Sequence, residues 1–149
     1  MERMLAAYGR GILHLAYTYL HSQTDAEDVL QDTMVQYLRF APPVFDSENG
    51  RKAWLYKVAA NLCKNRLRQS ARNGGEVPED FPGGGIPEES LHLRDAVSRL
   101  PVKYREVIHL FYYEDATTAQ IAQILGRREV TVRSELFRAR KLLRKELDA

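Results

Sequence analysis

The sequence predicts an all-α protein: two small helical domains joined by a flexible linker. Three observations predict it. Apolar residues recur at helical spacing through residues 1–72 and again through 90–149, with almost no two-residue alternation. Between them, residues 73–89 hold five Gly and three Pro. Ordering such a stretch costs much backbone entropy and buries little in return, so it reads as a flexible linker. A length of 149 residues fits one domain or two small ones, and no internal repeat is visible.

Residues 3–21 place Leu5, Tyr8, Ile12, Leu15, Ala16 and Tyr19 at helical spacing. Thr24 is expected to open a second helix, because Thr24-Asp25-Ala26-Glu27 matches a capping box. Val29, Leu30, Met34 and Leu38 form its apolar stripe, and Asp25, Asp28 and Asp32 share another side. Pro42-Pro43 stops that helix; residues 40–50 read as a loop, with Asn49-Gly50 as a turn signal. A third helix is expected over about 51–70, with Leu55, Val58, Ala59 and Leu62 inward.

In the second unit Ser90 is expected to cap a helix over 91–99. Pro101 opens the next, which carries Tyr104, Val107, Ile108, Phe111 and Tyr112. Thr117-Thr118-Ala119-Gln120 is a second capping pattern, and Gly126 supplies the left-handed residue that ends that helix. A last helix begins near Val130, with Val132, Leu136, Ala139 and Leu143 at core spacing.

Charge is segregated. The net charge is only +2, but residues 51–72 carry seven bases and no acid, and residues 127–145 carry eight bases against Glu129 and Glu135. Acidic stretches at 24–48 and 73–90 flank the first block. Basic blocks attract polyanions by counterion release, although one block alone can equally be a solvated helix face. Trp54, Lys57, Asn61, Asn65 and Arg68 fall together on a flank of the third helix. An aromatic ring for stacking, amides for base edges and cations for phosphates suit an opened DNA strand. The alternative is that Trp54 is core and its neighbours are solvated.

Residues 118–137 have the pattern of a helix-turn-helix: small Ala122, Gly126 in the turn, and Val132 anchoring the second helix. Arg133, Ser134, Phe137, Arg138 and Lys141 lie away from that helix's core stripe, where arginines can pair two-pronged with guanine. Arg127 and Arg128 in the turn are expected to meet backbone phosphates.

Several classes are excluded or disfavoured. No apolar run is long enough to span a bilayer and no secretory signal is visible, so a cytoplasmic protein without membrane insertion is expected. A single cysteine, Cys63, rules out a disulfide framework and a Cys-rich zinc site; it reads as a small interior residue. No Gly-rich phosphate loop, G-x-S-x-G or Cys/His pairing appears, so no cofactor, no resident metal and no enzyme are expected. Two rival readings fit parts of the sequence: a metal-dependent nuclease built on Asp25, Glu27, Asp28 and Asp32 near His21, and a promoter-binding regulator that uses the C-terminal helix-turn-helix alone.

The stretches 25–32 (Asp-Ala-Glu-Asp-Val-Leu-Gln-Asp), 54–62 (Trp-Leu-Tyr-Lys-Val-Ala-Ala-Asn-Leu), Leu100-Pro101, 121–126 (Ile-Ala-Gln-Ile-Leu-Gly), 131–134 (Thr-Val-Arg-Ser) and 138–140 (Arg-Ala-Arg) occur in this order. Together they resemble bacterial sigma factors of the sigma-70 family, in the compact extracytoplasmic-function (ECF) group that keeps only domains two and four. The resemblance covers nearly the whole chain apart from the linker. It implies that residues 1–72 are domain two, which docks on core RNA polymerase. Asp25, Asp28, Gln31 and Asp32 would meet the clamp of the largest subunit. Trp54, Lys57, Asn61, Asn65 and Arg68, with the loop at 40–50, would hold the melted minus-ten element. Residues 90–149 would be domain four, meeting the flap of the second-largest subunit. There Arg127, Arg128, Thr131, Arg133, Ser134, Phe137 and Arg138 would read the minus-thirty-five element of promoter DNA. An anti-sigma factor is a further implied partner. The chain departs from the family pattern at Arg128, where Pro is frequent, at Val130, where Gly is usual, and at Glu135, where a base is usual. An acid at the groove would reject phosphate or accept a hydrogen bond from cytosine.

Overall fold

The structure, a computed structural model, describes residues 2–72 and 88–148, with side chains described from residue 92 onward in the second stretch. The expected linker at 73–89 lies outside the described residues, except that Glu88 and Glu89 already belong to a helix. No strand occurs among the described residues, and the chain divides into two compact units.

The first unit is a bundle of α1 (Glu2–Leu20), α2 (Gln23–Phe40) and α3 (Glu48–Arg72), each helix packed on the other two. Its core is Ile12, Leu15, Ala16 and Tyr19 of α1, Ala26, Val29 and Met34 of α2, and Leu55, Tyr56, Ala59, Ala60 and Cys63 of α3. The small residues on α3 let the neighbouring helices approach closely. Each fully buried Leu or Ile contributes about 1.5–3 kcal/mol against exposure. Cys63 is wholly buried, and burial pushes its thiol up to about 12. Two residues expected in the stripes are not core: Leu5 and Leu38 are exposed. Helical periodicity assigns a face but not what covers it.

Two helix starts in this unit differ from expectation. Ser22, not Thr24, caps α2: its hydroxyl accepts the Asp25 amide at 3.2 Å. His21 turns the chain with φ +54°, so α1 and α2 are separated by only His21 and Ser22. A serine satisfies the free amides as well as a threonine, and the earlier start adds two residues to α2. Ser47 likewise receives the Gly50 amide at 3.0 Å, so Asn49 and Gly50 sit in the first turn of α3 and the loop shrinks to 41–47.

The second unit contains α4 (Glu88–Ser98), α5 (Val102–Ile108), most of α6 (Thr118–Leu125) and α7 (Glu129–Asp148), with α7 packed on α4 and α5. Because α4 starts at Glu88, Ser90 lies inside its first turn and is not its cap. Buried Arg105 donates to the carbonyls of Ser98 at 3.0 Å and Leu100 at 3.4 Å, closing the turn ahead of Pro101. α5 runs on into a π turn, His109–Tyr113, which buries Leu110 and leaves Tyr112 and Tyr113 exposed. The capping box on α6 forms as expected, with Gln120 N to Thr117 Oγ1 at 3.1 Å and Thr117 N to Gln120 Oε1 at 2.9 Å. Gly126 ends α6 at φ 67°, ψ 36°, a conformation that costs a non-glycine residue about 1–2 kcal/mol. Among the described residues, no helix is long and apolar enough to cross a membrane.

Candidate nucleic-acid interface

In the second unit the αL residue Gly126 aims the chain from α6 into α7. Thr118 Oγ1 donates to Glu129 Oε1 at 2.8 Å, joining the first turns of the two helices. Val132, Leu136 and Ala139 of α7 point inward. That leaves Thr131, Arg133, Ser134, Phe137 and Arg138 exposed, together with Val130 and Arg128. Phe137 is 62% exposed, with the Lys141 ammonium 5.5 Å from its ring centroid. An exposed aromatic flanked by cations can meet a thymine methyl while Arg or Lys holds guanine or phosphate. Arg140 is engaged elsewhere: its Nε donates to Tyr112 Oη at 2.7 Å and its guanidinium lies over the Phe111 and Tyr112 rings.

Arg127 and Glu135 have partners inside the second unit that the sequence does not announce. Arg127 donates to Glu106 Oε1, and its Nη1 stands 3.4 Å from Glu135 Oε1. The Glu106 side chain is wholly buried and that of Glu135 is 9% exposed. Glu135 therefore faces the interior, not the groove. The helical wheel carried that signal: Glu135 falls beside Val132, Leu136 and Ala139 on the core stripe.

In the first unit Lys57, Asn61, Asn65 and Arg68 are exposed along one flank of α3. Arg68 donates to Asn65 Oδ1, leaving the Asn65 amide hydrogens as its outward donors. Trp54 is half-buried. It meets Tyr37 edge-on at 5.9 Å and Phe45 at 6.3 Å between ring centroids. The expected stacking platform is thus part of an aromatic cluster. Phe45 also stacks on Tyr37 at 6.4 Å, and the Arg51 guanidinium sits 4.8 Å over Phe45 while donating to Tyr37 Oη. Arg51 Nε pairs with Glu48 at 3.3 Å, and Tyr8 donates its phenol to Glu48. Burial and that hydrogen bond push the Tyr8 phenol up to about 12, and the same hydrogen bond lowers the Glu48 carboxyl. Sequence reading missed Tyr37, Phe45 and Arg51; the available signal was a lone aromatic in a Pro-rich loop between two other aromatics.

Asp25, Asp28 and Asp32 line one side of α2, all within ion-pair reach of Arg66 on α3, at 3.7, 3.8 and 3.6 Å. Gln31 is exposed beside them, and Val35 and Leu38 continue the same side at 47% and 61% exposure. Among the described residues, no group of three His, Cys, Asp or Glu is placed to hold a metal ion.

A helix-turn-helix with an exposed basic face, and a separate helical bundle with an amide-and-cation flank, have the chemistry of a two-domain nucleic-acid-binding protein. Residues 4–73 match the family model "Sigma-70 region 2", and residues 90–143 match "Sigma-70, region 4". The chain belongs to the sigma-70 family of RNA polymerase sigma factors, in its ECF group. It is 31% identical over 137 residues to RNA polymerase sigma factor SigV of Bacillus subtilis, covering 89% of this chain and 82% of that one. It is 35% identical over 130 residues to ECF RNA polymerase sigma factor SigL of Mycobacterium tuberculosis, covering 80% and 72%. Among solved structures, the sigma factor RpoE of Bartonella quintana, in complex with the anti-sigma factor NepR, shares the fold. Its TM-score is 0.80 at 22% identity, over 99% of this chain and 96% of that one. CnrH, in complex with the cytosolic domain of CnrY, gives 0.74 at 26% identity, over 99% and 86%.

Proposed function

We propose that this sigma factor works as a binding protein with no catalytic step of its own, acting in the cytoplasm, and that its two units divide the promoter between them. The exposed face of α7, with Arg133, Ser134, Phe137 and Arg138 turned away from a closed core, carries this reading. It is the part that reads the minus-thirty-five duplex, with Arg128 and Thr131 at its edge. The α3 flank, Lys57, Asn61, Asn65 and Arg68, captures the non-template strand of the minus-ten element. Trp54 and Phe45 brace that flank and the 41–47 loop. Extruding a base costs a few kcal/mol, offset by stacking and amide contacts. The α2 side bearing Asp25, Asp28, Gln31, Asp32, Val35 and Leu38 docks on the clamp of core RNA polymerase. Its mixture of acids and exposed apolar residues suits a protein interface. The second unit meets the flap, and an anti-sigma factor, of the kind bound to the Bartonella relative, holds the chain inactive.

The test is reconstitution with core polymerase on a promoter library, run with the natural chain and with Asn61→Ala. The expected result is initiation from a defined promoter class, with the variant still binding duplex promoter but impaired in strand opening. No site-directed initiation by the natural chain overturns the reading. Normal opening by Asn61→Ala removes the base-capture role.

A further inference from the structure

We propose that Arg127 is a positioning residue for the recognition helix and makes no DNA contact: with Glu106 and Glu135 it forms an internal clamp that fixes how α7 is presented to the groove. This rests on reading α7 as the minus-thirty-five helix. One guanidinium joins three parts of the second unit: Glu106 in α5, the turn beside Gly126, and Glu135 in the second turn of α7. Glu106 lies wholly inside, one residue from core Val107. Swinging Arg127 out to a phosphate would withdraw it from two carboxylates held away from water, and an uncompensated buried charge costs more than an exposed phosphate contact returns. The cations left for DNA are Arg128, Arg133, Arg138 and Lys141, all exposed. Glu135 follows Ser134 directly and stands two and three residues before Phe137 and Arg138. A clamp at 135 therefore sets the roll of the residues on which base readout depends, and two-pronged base contacts are lost if the helix rolls.

The test uses holoenzyme assembled with the full chain. The natural chain first selects its minus-thirty-five sequence from a randomised promoter library; failure to select any sequence would sink the function proposed above, not the clamp. Affinity for the selected and a scrambled minus-thirty-five promoter is then measured across a salt series for three chains. These are the natural chain, Arg127→Gln, and the transposed pair Arg127→Glu with Glu135→Arg, which returns one cation between two acids. For Arg127→Gln the clamp predicts at least a tenfold loss of discrimination with an unchanged slope of log affinity against log salt. The transposed pair should recover discrimination to within about threefold of the natural chain. A slope shallower by about one with discrimination intact identifies a phosphate contact and overturns the proposal. So does a transposed pair that is helical by circular dichroism yet does not discriminate. If Arg127→Gln does not fold, the transposed pair alone decides. If neither folds, the three residues merely hold the domain together and the proposal is wrong.

Discussion

Arg66 is the most informative residue to remove from the proposed docking surface. Its guanidinium lies 3.6–3.8 Å from Asp25, Asp28 and Asp32, and all four groups are roughly a third to a half exposed. Two unit charges about 4 Å apart attract by about 1 kcal/mol in water, and exposed pairs measure about 0.2–1 kcal/mol. One guanidinium cannot satisfy three acids independently, so the group is worth about 1 kcal/mol in total. Three carboxylates and one guanidinium sum to −3 + 1 = −2, and Arg66→Gln leaves −3. A partner whose cations dock on this stripe must displace Arg66; without that competition it should bind about fivefold tighter, the equivalent of about 1 kcal/mol. Fluorescence anisotropy of the labelled chain with core polymerase at about 0.1 M and 0.5 M salt tests this. The gain should be present at low salt and shrink at high salt, where the Debye length shortens. Chain stability should fall by no more than about 1 kcal/mol. Unchanged or weaker low-salt affinity refutes the reasoning, because Arg66 would then be either irrelevant to docking or part of the contact itself.

Burial raises the Cys63 thiol from 9.0 to about 12, so at pH 8 its thiolate is about a thousandfold scarcer in the folded chain. Iodoacetamide should label it only after denaturant is added; equal rates in both conditions contradict the burial. A raised folded value means this contribution to stability is whole below pH 9 and is lost as pH climbs toward 12, so urea midpoints should decline across that window. Gly126→Ala meets no atom within 4 Å of the added Cβ, so its cost is backbone strain alone, about 1–2 kcal/mol by urea unfolding; a neutral result would mean the turn relaxes out of the left-handed region. Arg138→Ala should cost about 1–3 kcal/mol at one base position of the minus-thirty-five element if it makes a two-pronged contact, and a library profile identical to that of the natural chain excludes it as a reader.

Much of the fold was legible because helical periodicity and punctuation agree. Pro42-Pro43 ends α2, Thr117 with Gln120 starts α6, and Gly126 stops it. Competing caps were not legible: Ser22 and Thr24 are both good N-caps, and only the tight His21 turn selects the first. The π turn at 109–113 leaves no local signature, since the same apolar spacing is compatible with an ordinary helix. At the candidate site, the exposed cations of α7 and α3 follow from their angles on the wheel. Long-range partners do not. Nothing local tells that Arg66 reaches back across to α2, or that Arg127 turns inward to a carboxylate 21 residues earlier. The same wheel that exposed Arg133 also put Glu135 on the core side. Sequence reading assigned it to the groove by family position, and side-chain geometry reversed that.

The anchoring of the 41–47 segment has an evolutionary corollary. Its fixed points are Phe45, held by Tyr37, Trp54 and Arg51, and Ser47, which caps the helix that follows. Pro42, Pro43 and Val44 ahead of Phe45, and Asp46 between it and Ser47, are exposed. On the proposed minus-ten role of this loop, such a tip behaves as an exchangeable cassette: its side chains can be rewritten to favour new promoter letters while the bundle beneath neither repacks nor loses its hold.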